Sequence, residues 1–106
     1  MRDCVMVQTT VGSEAEGRLL AGALVEERLA ACVQMEPTES VYRWKGAVER
    51  AREWRLTVKT AAANREAVVR AIRKKHSYEL PEIVVLPVVG GLKTYLEWVV
   101  AESKDG

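Results

Sequence analysis

The chain has 106 residues, of which 48% are hydrophobic and 29% charged, and this size and composition predict one globular domain over residues 1–106. Sixteen basic and fifteen acidic side chains leave a formal net charge of +1, which argues against a dedicated nucleic-acid or anionic-membrane binder. The apolar runs are far shorter than the roughly 20 residues of a membrane-spanning helix, so no membrane partner is expected.

The amino-terminal segment lacks the basic region, apolar stretch and small-residue cleavage site of a secretory signal, and we therefore expect a cytoplasmic protein. Its two cysteines, Cys4 and Cys32, are widely separated and flanked by apolar residues. A mixed core of this size needs no disulfide, so both are expected to be free thiols in a reducing compartment.

The first elements are predicted to be a strand and a helix. Residues 4–11 are rich in Val and Thr and end at Gly12, as in a buried strand. Ser13 and Glu16 have the spacing of a capping box, which predicts a helix beginning here. The apolar stripe of this helix indicates an end near Leu29.

A long β-hairpin is predicted next. Residues 31–44 and 47–60 read as extended, Lys45-Gly46 marks the turn, and Pro37 indicates a bulge or an edge strand. Both arms exceed the roughly five or six residues of an ordinary strand, and the two remaining strands are too short to cover them. The overhanging part is therefore expected to pair with something outside the monomer.

The last elements are a helix, a strand and a helix. Asn64 is a candidate N-cap for the second helix, residues 83–86 form a β-branched strand closed by Pro87, and residues 92–100 carry an apolar helical stripe. The order predicts an α+β fold of split βαβ type, βαββαβ plus a C-terminal helix, with an antiparallel sheet carrying helices on one face.

Most catalytic motifs are absent from the sequence. It contains no phosphate-binding loop, dinucleotide fingerprint or nucleophile elbow, and Gly90-Gly91 reads as a turn before a helix. A catalytic triad would have to use His76, for which a role at the helix C-terminus is the simpler interpretation. The soft ligands His76, Cys4 and Cys32 lack the close spacing of a structural zinc site, so a metal site would have to gather distant residues or different subunits. The simpler interpretation of Cys32 is a buried small hydrophobe.

The strand order is also that of an RNA-recognition domain, but the third strand has one aromatic residue, Trp54, and lacks the glycine-aromatic pattern of that module. Nucleic acid is therefore not an expected partner. Aromatic, charged and hydroxyl groups concentrate at residues 42–44 and 76–82, which fits a functional loop cluster or a subunit interface. Both interpretations stay open, since pockets often form where subunits meet.

Five blocks of this sequence together resemble the CutA divalent-cation tolerance proteins. They occur in the family's order and cover nearly the whole chain. The blocks are ALVEERLAACV at 23–33, VYRWKGAVE at 41–49, LTVKT at 56–60, HSYELPEI at 76–83 and YLEW at 95–98. The resemblance implies a ferredoxin-like subunit in a tight homotrimer whose long hairpin strands pair between subunits, as in the PII signalling proteins. It also implies a link to tolerance of copper and other divalent metals, with no established reaction.

The resemblance further implies candidate site residues. Cys32 and His76 correspond to copper ligands proposed in some relatives, whereas Gln8 stands where some members have a further cysteine. An amide oxygen is a poor substitute for a thiolate at a soft metal, and Cys4 lies about 13 Å from that position at roughly 3.3 Å per residue. His-Ser-Tyr at residues 76–78 also replaces the usual His-Pro-Tyr. The residues implied to line the clefts between subunits are Trp44, Glu49, Lys59, Tyr78 and Glu82.

Two hypotheses of function follow from these observations. The first is a cytoplasmic, non-catalytic homotrimer that requires no cofactor and binds copper or another divalent metal ion. The second is a PII-like signalling module in which a small molecule in the cleft between subunits alters docking on an unidentified protein partner. The turn at residues 45–46 is too short to form the long mobile loop of the PII proteins, which favours the first hypothesis. An enzymatic function ranks last.

Overall fold

The computed structural model describes residues 3–103 and confirms the predicted order of elements. These elements are β1 (Cys4–Val11), α1 (Glu14–Glu26), β2 (Cys32–Trp44), β3 (Ala47–Ala61), α2 (Arg65–Lys75), β4 (Ile83–Pro87) and α3 (Lys93–Glu102). The strands form one antiparallel sheet in the order β2-β3-β1-β4, so β2 and β4 are its edges. Within the described residues, every helix is too short or too polar to cross a membrane.

Helix α1 begins as predicted and ends earlier than predicted. The Ser13 Oγ accepts a hydrogen bond from the Glu16 N–H at 3.1 Å, which is one half of the capping box. The helix ends at Glu26 rather than near Leu29, because Arg28 takes a left-handed conformation with a φ of 59°. The N–H of Leu29 then bonds back to the carbonyl of Leu24, which closes the last turn.

The hairpin is continuous and extends beyond the rest of the sheet. Lys45 and Gly46 both have positive φ, 49° and 84°, as a two-residue type I′ turn requires. Pairing runs without interruption from Cys32 opposite Lys59 to Trp44 opposite Ala47, so Pro37 marks an edge strand and not a bulge.

Strand β1 covers β3 only as far as the pair Val11 and Trp54. The two-stranded part beyond that pair, residues 38–53, is called the hairpin overhang below. It helps to give the molecule a long axis of 44 Å against 25 and 21 Å for the other two. The overhang expected from the sequence is therefore present in the monomer.

The main core lies between the sheet and the helices α1 and α2. Its buried members are Val5, Val7, Val11, Leu20, Leu24, Ala30, Leu56, Val58, Val68 and Ile72. Helix α3 packs elsewhere, because Leu96 and Val99 form a separate buried cluster with Cys4. Cys4 pairs with Ala61 in register, and its side chain alternates with that of Val5, which belongs to the main core. The expectation of helices on one face is thus correct for α1 and α2 and wrong for α3.

Asn64 directly precedes α2 as predicted, but its side chain does not cap that helix. Its amide instead donates hydrogen bonds to the Ser103 carbonyl and, at 3.4 Å, to the Thr60 hydroxyl. The Ser103 hydroxyl accepts from the Ala61 N–H at 3.0 Å and donates to the Val99 carbonyl at 2.6 Å. These bonds hold the C-terminal end of α3 against the end of β3.

Candidate binding groove

A groove of about 1020 Å³ lies between the hairpin overhang and the loop at residues 77–82. Of the five predicted cleft residues, Trp44, Tyr78 and Glu82 line this groove. Glu53 also lines it, and sequence reasoning did not identify this residue. The groove therefore joins the two aromatic and charged segments that the sequence singled out, the hairpin tip and the loop before β4.

A hydrogen bond between Tyr78 and Glu53 crosses the groove. The Tyr78 hydroxyl donates to Glu53 Oε2 at 2.8 Å, and Glu53 is only 7% exposed. Burial raises the pKa of Tyr78, and the hydrogen bond to Glu53 and the negative charge of that carboxylate raise it further. Tyr78 is therefore a protonated donor at neutral pH, and it partly compensates a buried carboxylate.

Replacing Tyr78 with Phe is expected to lower the free energy of unfolding by about 1–3 kcal/mol at pH 7, because Glu53 loses its donor. Folding raises the pKa of Tyr78 above its ordinary value of 10.0. The stabilisation that this shift contributes is therefore complete below pH 10 and is lost progressively as the pH rises above 10. Urea unfolding at pH 7 and pH 11 should show a smaller alkaline loss for Tyr78→Phe than for the unchanged protein. The matched control is Tyr42→Phe in the same groove, and equal alkaline losses in both variants would contradict the assignment.

The side chain of His76 is fully buried, and both of its ring nitrogens have partners in the chain. Its Nε2 lies 2.7 Å from the Thr10 carbonyl, and its Nδ1 lies 3.1 Å from the Tyr78 N and 3.9 Å from Glu16 Oε2. The adjacent Ser77 donates from its N–H and hydroxyl to the Glu16 carboxylate at 3.1 and 3.0 Å. These contacts fix the loop at residues 77–82, and a metal ion on His76 would have to displace one of them.

Cys32 and His76 lie apart within one chain. Cys32 pairs with Lys59 in register, whereas His76 contacts Thr10, which faces Arg55. Arg55 and Lys59 are four residues apart on β3, about 13 Å at roughly 3.3 Å per residue. Across residues 3–103, no group of three or more His, Cys, Asp or Glu side chains is arranged to hold a metal ion. A metal site containing both residues stays a prediction and would need different subunits.

The position at which some relatives carry a further cysteine, Gln8 in this chain, lies in the groove. Gln8 lines it, and its Nε2 donates to Glu82 Oε2 at 3.1 Å. Cys4 does not replace that thiol, because it is buried beneath α3 and its Sγ donates to the Leu96 carbonyl at 3.5 Å. Burial, with the nearby Asp3 charge, raises the pKa of Cys4 and favours the neutral thiol.

The other two predicted cleft residues lie outside the groove. Glu49 is exposed on the hairpin overhang, where it pairs in register with Tyr42. Lys59 lines a second cavity beneath α3, with its Nζ 5.6 Å from the centroid of the Tyr95 ring. Within one chain the structure therefore divides the five residues between the groove, the hairpin surface and a separate cavity.

Comparison of the sequence with protein-family models matches residues 5–102 to the CutA1 divalent ion tolerance protein. The divalent-cation tolerance protein CutA of Thermus thermophilus is 43% identical over 99 residues, which is 92% of this chain and 94% of that protein. The chloroplastic protein CutA 1 of Oryza sativa is 37% identical over 102 residues, 95% of this chain. The chain spans 58% of that plant protein, and 56% of the chloroplastic CutA of Arabidopsis thaliana.

Solved structures show the same fold. CutA from Synechococcus elongatus superposes with a TM-score of 0.94 at 36% identity, covering 98% of this chain and 93% of that one. The PII-like protein CutA from a Nostoc species, in its apo form, gives 0.90 at 34% identity over 96% of this chain and 99% of that one. The names of these relatives refer to divalent-ion tolerance or to a PII-like protein and not to a catalysed reaction. With the family model matched over residues 5–102, the chain belongs to the CutA1 divalent ion tolerance family.

Proposed function

We propose that this chain works as a cytoplasmic, non-catalytic homotrimer that supports divalent-cation tolerance by binding copper or another divalent ion directly. The observation that carries the proposal is the hairpin overhang. It presents the unpaired backbone of the edge strand β2 together with exposed apolar side chains at Val41, Tyr42 and Val48. Open edges of this kind associate with other strands, and closing three of them around an axis leaves none exposed.

Cys32 is the metal ligand that we propose. It is a free, half-buried thiol, a ligand type that copper prefers, and free cysteines fit the reducing cytoplasm. Lys59 is the register partner of Cys32 in the sheet, and its positive charge repels a cation. One chain alone therefore makes a poor metal site at Cys32. We therefore expect the ion to bind where Cys32 is complemented by groups of a neighbouring copy. No cofactor is required in this function.

The groove supports a second candidate function. Its volume of about 1020 Å³ lies at the upper limit for small-molecule sites, and one structural neighbour is described as PII-like. In this alternative a small molecule bound at the groove between subunits alters docking on a protein partner. The two-residue turn at Lys45 and Gly46 counts against it, because this connection between β2 and β3 is too short to form a long mobile loop that could carry the signal.

Native mass spectrometry of the protein purified from its own host, without chelator, tests both functions. A trimer that retains copper or another divalent metal supports the first, and a trimer that carries an organic mass supports the second. A monomer contradicts both, since each depends on neighbouring subunits.

Cys32→Ser is expected to weaken copper binding by at least about tenfold, since a hydroxyl is a poor ligand for a soft metal. Competition with a copper chelator of known affinity measures the change in dissociation constant. Cys4→Ser is the matched control, because that thiol is buried beneath α3 and bonded to the Leu96 carbonyl. Unchanged affinity and stoichiometry in Cys32→Ser would make Cys32 a packing residue only.

A further inference from the structure

A second cavity lies between the start of β1, the segment at residues 88–92 and helix α3. Its volume is about 370 Å³, and it is called the α3 cavity below. Its walls are largely apolar and include Cys4, Met6, Val88, Leu92, Leu96 and Val99. Binding sites for small molecules are mostly apolar with a few placed polar groups, and they begin at about 300 Å³. The α3 cavity thus has the size and the walls of a site for a small, largely apolar ligand.

One charged side chain lines the α3 cavity, that of Lys59. Its Nζ lies 5.6 Å from the Tyr95 ring centroid, and among residues 3–103 no carboxylate comes within ion-pair distance of it. The residues paired with Lys59 in the sheet are Cys32 on one side and Met6 on the other, and neither carries an opposite charge.

Lys59 is a half-buried residue, and its positive charge has no carboxylate beside it among the described residues. The aromatic ring of Tyr95 compensates that charge only in part, because a ring face attracts a cation weakly. A carboxylate would compensate the charge more fully, and the apolar walls would bury the body attached to it. We infer that the α3 cavity binds a small monocarboxylate with an apolar body, whose carboxylate pairs with the Lys59 ammonium group.

The same residues argue against other ligand classes. A cationic ligand or a metal ion would be repelled by Lys59, and the Cys4 thiol is already bonded to the Leu96 carbonyl. A ligand with several negative charges would find one cation and otherwise apolar walls. The α3 cavity is separate from the groove, and Cys32 does not line it although Lys59 is the register partner of Cys32. Binding of a carboxylate there is therefore an additional function that does not require copper binding.

Calorimetric titration of the assembled, full-length protein tests the inference with three probes of equal chain length: hexanoate, hexan-1-ol and hexylammonium. Hexanoate is expected to bind at least about tenfold more tightly than hexan-1-ol, and hexylammonium more weakly than either. In a series from acetate to dodecanoate, affinity should rise and then stop rising once the tail fills the cavity. An affinity that rises through dodecanoate indicates an open lipid-binding surface and overturns the inference, as does equal binding of acid and alcohol.

Two variants assign the effect to Lys59. Lys59→Met should remove the preference for hexanoate over hexan-1-ol, and Lys59→Arg should keep it. Lys45→Met is the matched control, because the Lys45 Nζ also lies 5.6 Å from an aromatic centroid, that of Trp44, but lies outside the α3 cavity. A preference that survives in Lys59→Met overturns the inference, and so does the absence of hexanoate binding to the assembled protein, which would mean that a neighbouring copy fills the cavity.

Discussion

Val41→Glu is expected to convert the assembled protein into monomers. Val41 is 60% exposed on the hairpin overhang, in the surface that we propose is buried between subunits. Arg50 lies opposite Val41 in register and can pair with the new carboxylate, but burying an ion still costs several kcal/mol. Each interface should therefore lose about 3 kcal/mol or more, equivalent to at least about a hundredfold in its dissociation constant. Size-exclusion chromatography with light scattering measures the mass directly.

The control for this change is Leu19→Glu on α1. Leu19 is 78% exposed, so the same substitution adds a charge to a surface outside the overhang and should leave the mass unchanged. Trp44→Ala at the hairpin tip should likewise weaken assembly more than it weakens copper binding. A trimer of unchanged thermal stability in both Val41→Glu and Trp44→Ala would show that the overhang is not the subunit interface.

Local sequence patterns were sufficient to predict most of the fold. The Val- and Thr-rich run at Cys4–Val11 is bounded by Gly12, and the strand has those bounds. The turn at Lys45 and Gly46 needs residues that tolerate positive φ, and the glycine indicates its position in the sequence. The end of α1 carried no such signal, because Arg28 takes the left-handed position that glycine usually occupies.

Non-local packing explains why the groove could be predicted only in part. The buried Glu53 accepts a hydrogen bond from Tyr78, which lies 25 residues later in the sequence. Ser77 donates to Glu16, which lies 61 residues earlier. No helical or strand period encodes such contacts. The separation of Cys32 from the groove likewise follows from the strand register, which places it beside Lys59.

The face on which α3 packs was also beyond the sequence pattern. An apolar stripe predicts that a helix is partly buried, but it does not state which face of the sheet covers it. Leu96 and Val99 pack on Cys4, and that contact creates the α3 cavity and places Lys59 in its wall. The unpaired Lys59 is therefore a property of the tertiary structure, although its position in a period-two strand is visible in the sequence.

Gly17→Leu is expected to destabilise the protein by about 3 kcal/mol, because α1 lies close against the sheet at this residue. A Cβ at Gly17 would lie 2.5 Å from the Met35 Sδ, 3.3 Å from Val11 Cγ2 and 3.4 Å from Leu56 Cδ1. Overpacking of this kind commonly costs about 1–3 kcal/mol, and a leucine adds three more carbons beyond the Cβ. The better helix propensity of leucine compared with glycine offsets only about 1 kcal/mol of this loss.

Gly22→Leu makes the same chemical change on the exposed face of the same helix, where a Cβ would meet nothing within 4 Å. It should stabilise by up to about 1 kcal/mol, so urea unfolding at one fixed subunit concentration should separate the two variants by about 4 kcal/mol. Met35→Ala should recover part of the loss in Gly17→Leu, since it removes the nearest obstructing atom. Equal stability of the Gly17 and Gly22 variants would mean that α1 can move away from the sheet at little cost, and the close approach at Gly17 would then not determine how the helix packs.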